Sequence, residues 1–275
     1  MVAGRLGLAG SDLRASAEAA VAVLTHCRAA IDAVGPACVA IKPQSACFER
    51  LGFAGWLVLD AVCAHARAAG LLVFADAKRG DVPVTAAAYA QALLAGSASP
   101  FGRLPGLGAD AMTANPLLGR DALLPLVEAA RQGGQGIFAL VRTSNPGAAD
   151  VMDLSLRDGD RLWERLARLV AELGADGRGP ESGLADVGAV TGATAPEHLT
   201  RMRELMPHTP FLLPGVGAQG GDVETLGAAF APGRAGGLVT ASRSLVDAHE
   251  RTGAEPAAAA RAEAERLRAA AWALA

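Results

Sequence analysis

The chain has 275 residues, 51% of them hydrophobic, and its 25 Lys and Arg against 28 Asp and Glu give a formal net charge of −3. That length can bury a full core, either as one large α/β barrel or as two smaller units. Near-neutral, scattered charge argues against a broad basic face for nucleic acid or an anionic membrane and leaves small anions as ligands.

The N-terminal apolar stretch is short and is broken by Ser11, Asp12, Arg14 and Glu18, which fits neither a signal peptide nor a membrane span. Cys27, Cys38, Cys47 and Cys63 show no CxxC spacing, and three of them lie among Ala, Val and Phe, as buried reduced thiols do. A cytoplasmic protein is expected. The five His are far apart in sequence and lack metal-ligand spacing.

Apolar runs then alternate with Ala-rich segments of helical length, the pattern of βα units on a parallel sheet. The expected strands are 38–43, 71–76, 110–114, 136–141, 186–190, 210–214 and 237–241. Helices are expected over 12–33, 54–69, 84–95, 119–132, 158–173, 196–205, 222–229 and 255–273. The stretches 97–108 and 174–183 read as loops, and no linker divides the chain, so 1–275 is expected to form one domain. Seven strands with matching helices suggest a (β/α)8 TIM barrel whose first strand is short, atypical or missing, with "GRLGLAG" (4–10) the sole candidate for it. A doubly wound sheet is the rival. Polar residues favour the barrel: Lys42, Asp76, Lys78, Asn115, Ser144, Thr194, Gln219 and Arg243 all fall at or just past C-terminal strand ends, where barrel enzymes build their sites.

The run "FADAKRGDVPVT" (74–85) places charges where a buried strand should end. Residues i and i+2 of a strand share a face, so Asp76 and Lys78 should both face the mouth while Ala77 turns to the helices. Asp81 lies beyond Gly80, which permits a turn. An array of Lys42, Asp76, Lys78 and Asp81 would let each charge stabilise its neighbours, although DxKxxD alone is also what a salt-bridged loop looks like. A second run, "PGVGAQGGD" (214–222), puts glycines between a strand and an expected helix, a setting that exposes backbone N–H groups to a phosphate. It also matches GxGxxG, but the next strand ends in "TASRS" rather than in the acidic residue a dinucleotide site expects. Arg243 could pair with a phosphate there, that of NADP included.

Together these residues resemble the orotidine 5′-phosphate decarboxylase family in its longer bacterial form. The likeness lies in "VFADAKRGDVPVTA" (73–86), "AIKPQSACFE" (40–49), "MTANPLLG" (112–119), "RTSNPG" (142–147), "VTGAT" (190–194), "PGVGAQGG" (214–221) and "ASRSL" (241–245), in the family's order. The resemblance implies decarboxylation of orotidine 5′-phosphate to UMP and carbon dioxide, in pyrimidine biosynthesis, without metal or cofactor. It casts Asp76 beside the substrate carboxylate and Lys78 as the group that stabilises and protonates the C6 carbanion, with Lys42 in the charge network. It implies a homodimer in which Asp81 and Thr85 serve the neighbouring subunit's site. Ser144 matches the pyrimidine-recognising serine, while Gln219 and Arg243, with Pro214 and Val216 in the same loop region, match the phosphate grip. Related sugar-phosphate barrels place an acid, with Mg²⁺, where this chain has Lys42.

One motif departs from the family pattern. The family's first strand ends in a motif like "GLDPH" whose aspartate binds the ribose, and here "LGLAGSD" (6–12) carries Ala9 at that place, with Asp12 close by. The N-terminus is then either cut short or diverged. The alternatives are a diverged lyase for another nucleotide or sugar phosphate, and a non-catalytic nucleotide-binding homologue.

Overall fold

A computed structural model describes residues 10–274, with side chains described from residue 14. Helix α1 (Gly10–Val34) leads into β1 (Ala40–Ile41), then α2 (Ser45–Glu49), α3 (Phe53–Ala68), β2 (Leu72–Arg79) and α4 (Pro83–Leu93). A hairpin of β3 (Ser97–Ser99) and β4 (Gly102–Leu104) precedes β5 (Ala111–Ala114), α5 (Arg120–Gly133), β6 (Gly136–Arg142), α6 (Ala148–Met152) and α7 (Leu162–Leu173). The chain continues through β7 (Val187–Thr191), α8 (Leu199–Leu205), β8 (Phe211–Leu213) and β9 (Gly237–Val239), and closes with α9 (Arg243–Val246), α10 (Ala248–Thr252) and α11 (Pro256–Trp272).

The helices follow from local sequence. In α7 the buried positions Trp163, Leu166, Ala167, Val170 and Leu173 recur at helical spacing, and the Glu164 carboxylate accepts the N–H of Arg161 at the start. In α5 Ala122, Leu123, Leu126, Val127 and Ala130 form the buried stripe, and Gly134 ends the helix in the left-handed conformation. At α11 the Glu255 carboxylate accepts the N–H groups of Ala257 and Ala258, with Pro256 in the first turn.

Seven strands form one parallel sheet in the order β1-β2-β5-β6-β7-β8-β9. Every neighbour in the sheet is the next parallel strand along the chain. That is the winding of a barrel, whereas a doubly wound sheet would reverse its strand order part-way across. The side chains agree, because the sheet has two apolar faces. Phe74, Ala111, Phe138, Leu140, Val190 and Leu212 pack together inside the curl. The alternate residues Val73, Ala75, Met112, Ile137, Ala139, Val187, Ala189, Phe211 and Leu213 pack outward against the helices. Among the described residues β1 and β9 are not paired with each other, so the curl is open along that seam. Of the candidate first strand, residues 4–9 lie outside the described residues, and Gly10 begins α1. No helix among the described residues is long and apolar enough to cross a membrane.

Three expectations are corrected. The segment 222–229 holds two 3-10 turns, Val223–Thr225 and Gly227–Phe230, because the Asp222 side chain caps the first and Gly227 interrupts any longer helix. The loop 97–108 contains the β3–β4 hairpin. Only Cys63 of the four free cysteines is buried; Cys27 and Cys38 are half-buried and Cys47 is exposed.

Candidate functional site

The strand ends rise into a mouth that holds a cavity of about 390 Å³, lined by Lys42, Gln44, Asp76, Lys78, Thr113, Thr143, Ser144, Asn145, Val190, Leu212, Pro214 and Gln219. Its floor is the top of the inner core, where Val190 and Leu212 continue the stack below. Asp76 sits two residues beyond Phe74 on the inner face of β2 and is only 4% exposed. Its carboxylate accepts four hydrogen bonds. Lys42 Nζ donates to Oδ2 at 2.5 Å and Gln44 Nε2 to the same oxygen at 3.2 Å, while Lys78 Nζ and Thr113 Oγ1, the latter at 3.0 Å, donate to Oδ1. Burial pushes the Asp76 carboxyl up, but the two lysines together outweigh it and hold the group below the usual carboxylate range. With two ammonium groups on one carboxylate, the trio carries a net positive charge facing a cavity of nucleotide-fragment size. Such an arrangement suits an anion.

Lys78 reaches the mouth by a route that simple strand alternation does not describe. The β2–β5 ladder pairs Ala75 with Met112 and Arg79 with Ala114, so β2 carries extra residues and bulges between them. Lys78 takes φ 49°, the one positive φ of a non-glycine residue among those described. Ala77 is buried on the helix side, as expected. Beyond the bulge Gly80 is needed for close approach rather than for a turn, since a Cβ there would lie 2.7 Å from the Asn115 carbonyl oxygen.

Asp81 does not join the array within its own chain. Its Oδ1 accepts the N–H of Val82 at 2.8 Å, and it is absent from the cavity lining. Thr85 lies in the first turn of α4, also away from that lining. The expected four-charge array is therefore a three-charge array in one protomer.

The opposite wall is built from the loops after β6 and β8. Ser144 Oγ donates to Gln219 Oε1 at 2.7 Å and Thr194 Oγ1 donates to the Ser144 carbonyl at 2.9 Å, tying three strand ends together. Arg142 braces this loop from behind with a two-pronged pair to Asp153, at 3.0 and 2.9 Å. In the 214–222 run, Gly215, Gly217 and Gly220 take φ values of 105°, 76° and 90°, which a side chain would resist. The loop closes on itself: Gly217 N–H donates to Gly221 O at 2.9 Å and Gly221 N–H to Gly215 O at 3.0 Å. Pro214 and Gln219 line the cavity, whereas Val216 is buried in the outer core and anchors the loop from beneath. Arg243 is exposed at the start of α9, makes no ion pair with the described residues and stands outside the cavity lining.

Sequence reasoning missed Gln44 and Thr113. Gln44 stands two positions past Lys42, so the alternation that selected Lys78 after Asp76 would have selected it. Thr113 is a lone hydroxyl in the apolar run "DAMTA", and polarity inside an otherwise fully buried strand was the available signal.

The sequence matches the profile of the family described as orotidine 5′-phosphate decarboxylase / HUMPS over residues 19–261. A protein of Rhodopirellula baltica named orotidine 5′-phosphate decarboxylase is 48% identical over 237 residues, which cover 84% of this chain and 75% of the relative. A Deinococcus radiodurans protein of the same name is 44% identical over 215 residues, 78% of this chain and 74% of the relative. Among solved structures, the Leishmania donovani OMP decarboxylase superposes with a TM-score of 0.71 at 32% identity, covering 92% of this chain and 89% of the other. With a family match across most of its length and relatives of this identity, the chain belongs to the orotidine 5′-phosphate decarboxylase / HUMPS family.

Proposed function

We propose that this protein decarboxylates orotidine 5′-phosphate to UMP and carbon dioxide. The observation that carries the proposal is the buried Asp76 carboxylate holding Lys42 and Lys78 together at the mouth. In this reading the pyrimidine lies over Val190 and Leu212 with its C6 carboxylate against Asp76. The C6–carboxylate bond breaks, carbon dioxide leaves, and the electron pair stays on C6. Lys78 stabilises that pair through its ammonium charge and then gives it a proton, and solvent reprotonates the amine. The charges are in place before substrate arrives, so the developing carbanion is stabilised with little reorganisation.

Ser144 and Gln219, already hydrogen bonded to one another, stand where they could recognise the base edge and link it to the phosphate end. Arg243 with the 214–221 loop is assigned the phosphate, which requires Arg243 to swing toward the cavity when the ligand binds. Asp81 and Thr85 are assigned to the neighbouring site of a homodimer. Lys42, where sugar-phosphate relatives carry an acid, favours the nucleotide branch.

The test is an ultraviolet assay of orotidine 5′-phosphate consumption with and without EDTA. Rapid, chelator-resistant turnover that disappears in Lys78→Ala is the expected result. A folded protein that binds UMP yet turns over no substrate would overturn the reading in favour of a non-catalytic homologue.

A further inference from the structure

The bulge in β2 leaves an accounting problem that a single side chain solves. Between the pairs Ala75–Met112 and Arg79–Ala114, three residues of β2 stand against Thr113 alone, so the regular ladder is interrupted where the Lys78 N–H lies. A part-buried amide left without a partner there would add to the strain of a non-glycine residue at φ 49°. Thr113 Oγ1 accepts that N–H at 2.9 Å. Having accepted it, the hydroxyl has one proton to give, and the Asp76 Oδ1 acceptor lies 3.0 Å away. Thr113 is 1% exposed and its bond to Asp76 is buried, while its bond to the Lys78 N–H is part-buried.

We propose that Thr113 is the positioning residue of the reaction: its hydroxyl grips the Lys78 backbone and the Asp76 carboxylate at once, fixing the proton donor relative to the carboxylate. This rests on the decarboxylase reading for the reaction it serves, but the grip itself is independent of any substrate. Thr113 does not reach the reacting carbon. It acts by holding Lys78 in the positive-φ backbone conformation from which its ammonium meets Asp76 Oδ1. Valine has nearly the same shape and lacks both bonds, whereas serine keeps both.

The experiment compares wild type, Thr113→Val and Thr113→Ser by steady-state kinetics with orotidine 5′-phosphate and by amide hydrogen exchange of the ligand-free proteins. In Thr113→Val, kcat is expected to fall by about tenfold or more while KM stays within about threefold, the pattern of an interaction that matters at the transition state. The Lys78 amide should exchange about tenfold faster while the Ala75 and Met112 amides are unchanged, as for a local rather than a global opening. Thr113→Ser should recover both readouts. Wild-type kcat and Lys78 protection in Thr113→Val would overturn the proposal. So would accelerated exchange across the whole sheet with no rescue by serine, which marks a packing role alone. If wild type turns over no orotidine 5′-phosphate but the Lys78 amide responds as described, the grip of Thr113 stands and the decarboxylase reading falls.

Discussion

Burial alone would push the Asp76 carboxyl up, and the attraction of Lys42 and Lys78 reverses the sign, so the group is held below its ordinary range. A carboxylate whose folded pKa is depressed stabilises the fold above its unfolded pKa, and the contribution is lost as pH falls through the lower folded value. The stability difference between wild type and Asp76→Asn, read from urea unfolding, should therefore be constant from neutral pH down to about 5 and should shrink below about 4, where carboxylates begin to protonate. A difference that instead vanished between pH 6 and 7 would mean that the carboxylate is not charge-paired as described. The same geometry predicts the effect of Lys78→Ala on chemistry. It removes both the proposed proton donor and one of the two charges on Asp76, so kcat should drop by at least about 10³-fold, the range for losing a positioned acid with its electrostatic stabilisation. Near-wild-type turnover in that variant would end the mechanism.

At the level of elements, the loop after β6 owes its shape to Arg142, whose guanidinium pairs twice with Asp153 and also donates to the Thr143 carbonyl at 3.3 Å. The pair holds the Arg142 pKa up and the Asp153 carboxyl down, the directions expected of a charge-assisted fork. Lysine cannot reproduce a planar fork, so Arg142→Lys should loosen the segment that presents Ser144 and raise KM by about fivefold or more, with kcat changed less. An unchanged KM would separate the brace from substrate binding. How legible such elements were in the sequence depended on the range of the interactions that form them. All seven described strands of the sheet were readable, because each is an apolar run whose alternate residues feed the inner and outer cores. Most helices were readable from their buried stripes and caps. The 222–229 segment was not, since an Asx cap and Gly227 redirect a chain that is otherwise Ala-rich and helical in composition. Lys42, Asp76, Lys78, Ser144 and Gln219 were found because they fall at or just past the expected strand ends, and Pro214 through the family resemblance. Thr113 was missed although its lone hydroxyl in an apolar run was visible; what it does depends on a shift in register between two strands, which neither strand's own sequence displays. Spacing alone placed Asp81 in its own chain's array, because proximity in sequence suggested proximity in space, whereas the resemblance assigned it to a neighbouring subunit.

At the scale of the whole molecule, the outer side of the mouth carries a surface of its own. Asp81 is turned to its own loop, and Val82 and Val84 just after it, with Leu117 and Leu118 after the neighbouring β5, are exposed. Two neighbouring strands thus carry an apolar rim beside a charged, incompletely enclosed site, and such a rim is the kind of surface another protein covers. If a second copy covers it, two-fold symmetry brings each Asp81 toward the partner's mouth as it brings the partner's toward its own. Sharing of this kind can be detected without a structure of the assembly. Asp81→Ala and Lys78→Ala proteins should each be nearly inactive alone. After subunit exchange at equal amounts, half of the dimers are mixed and each mixed dimer holds one intact site, so activity should return to about a quarter of wild type. Exchange confirmed by native mass spectrometry with no return of activity would show that each site is completed within its own chain. Asp81 would then serve only the loop it caps, and the apolar rim would need another explanation.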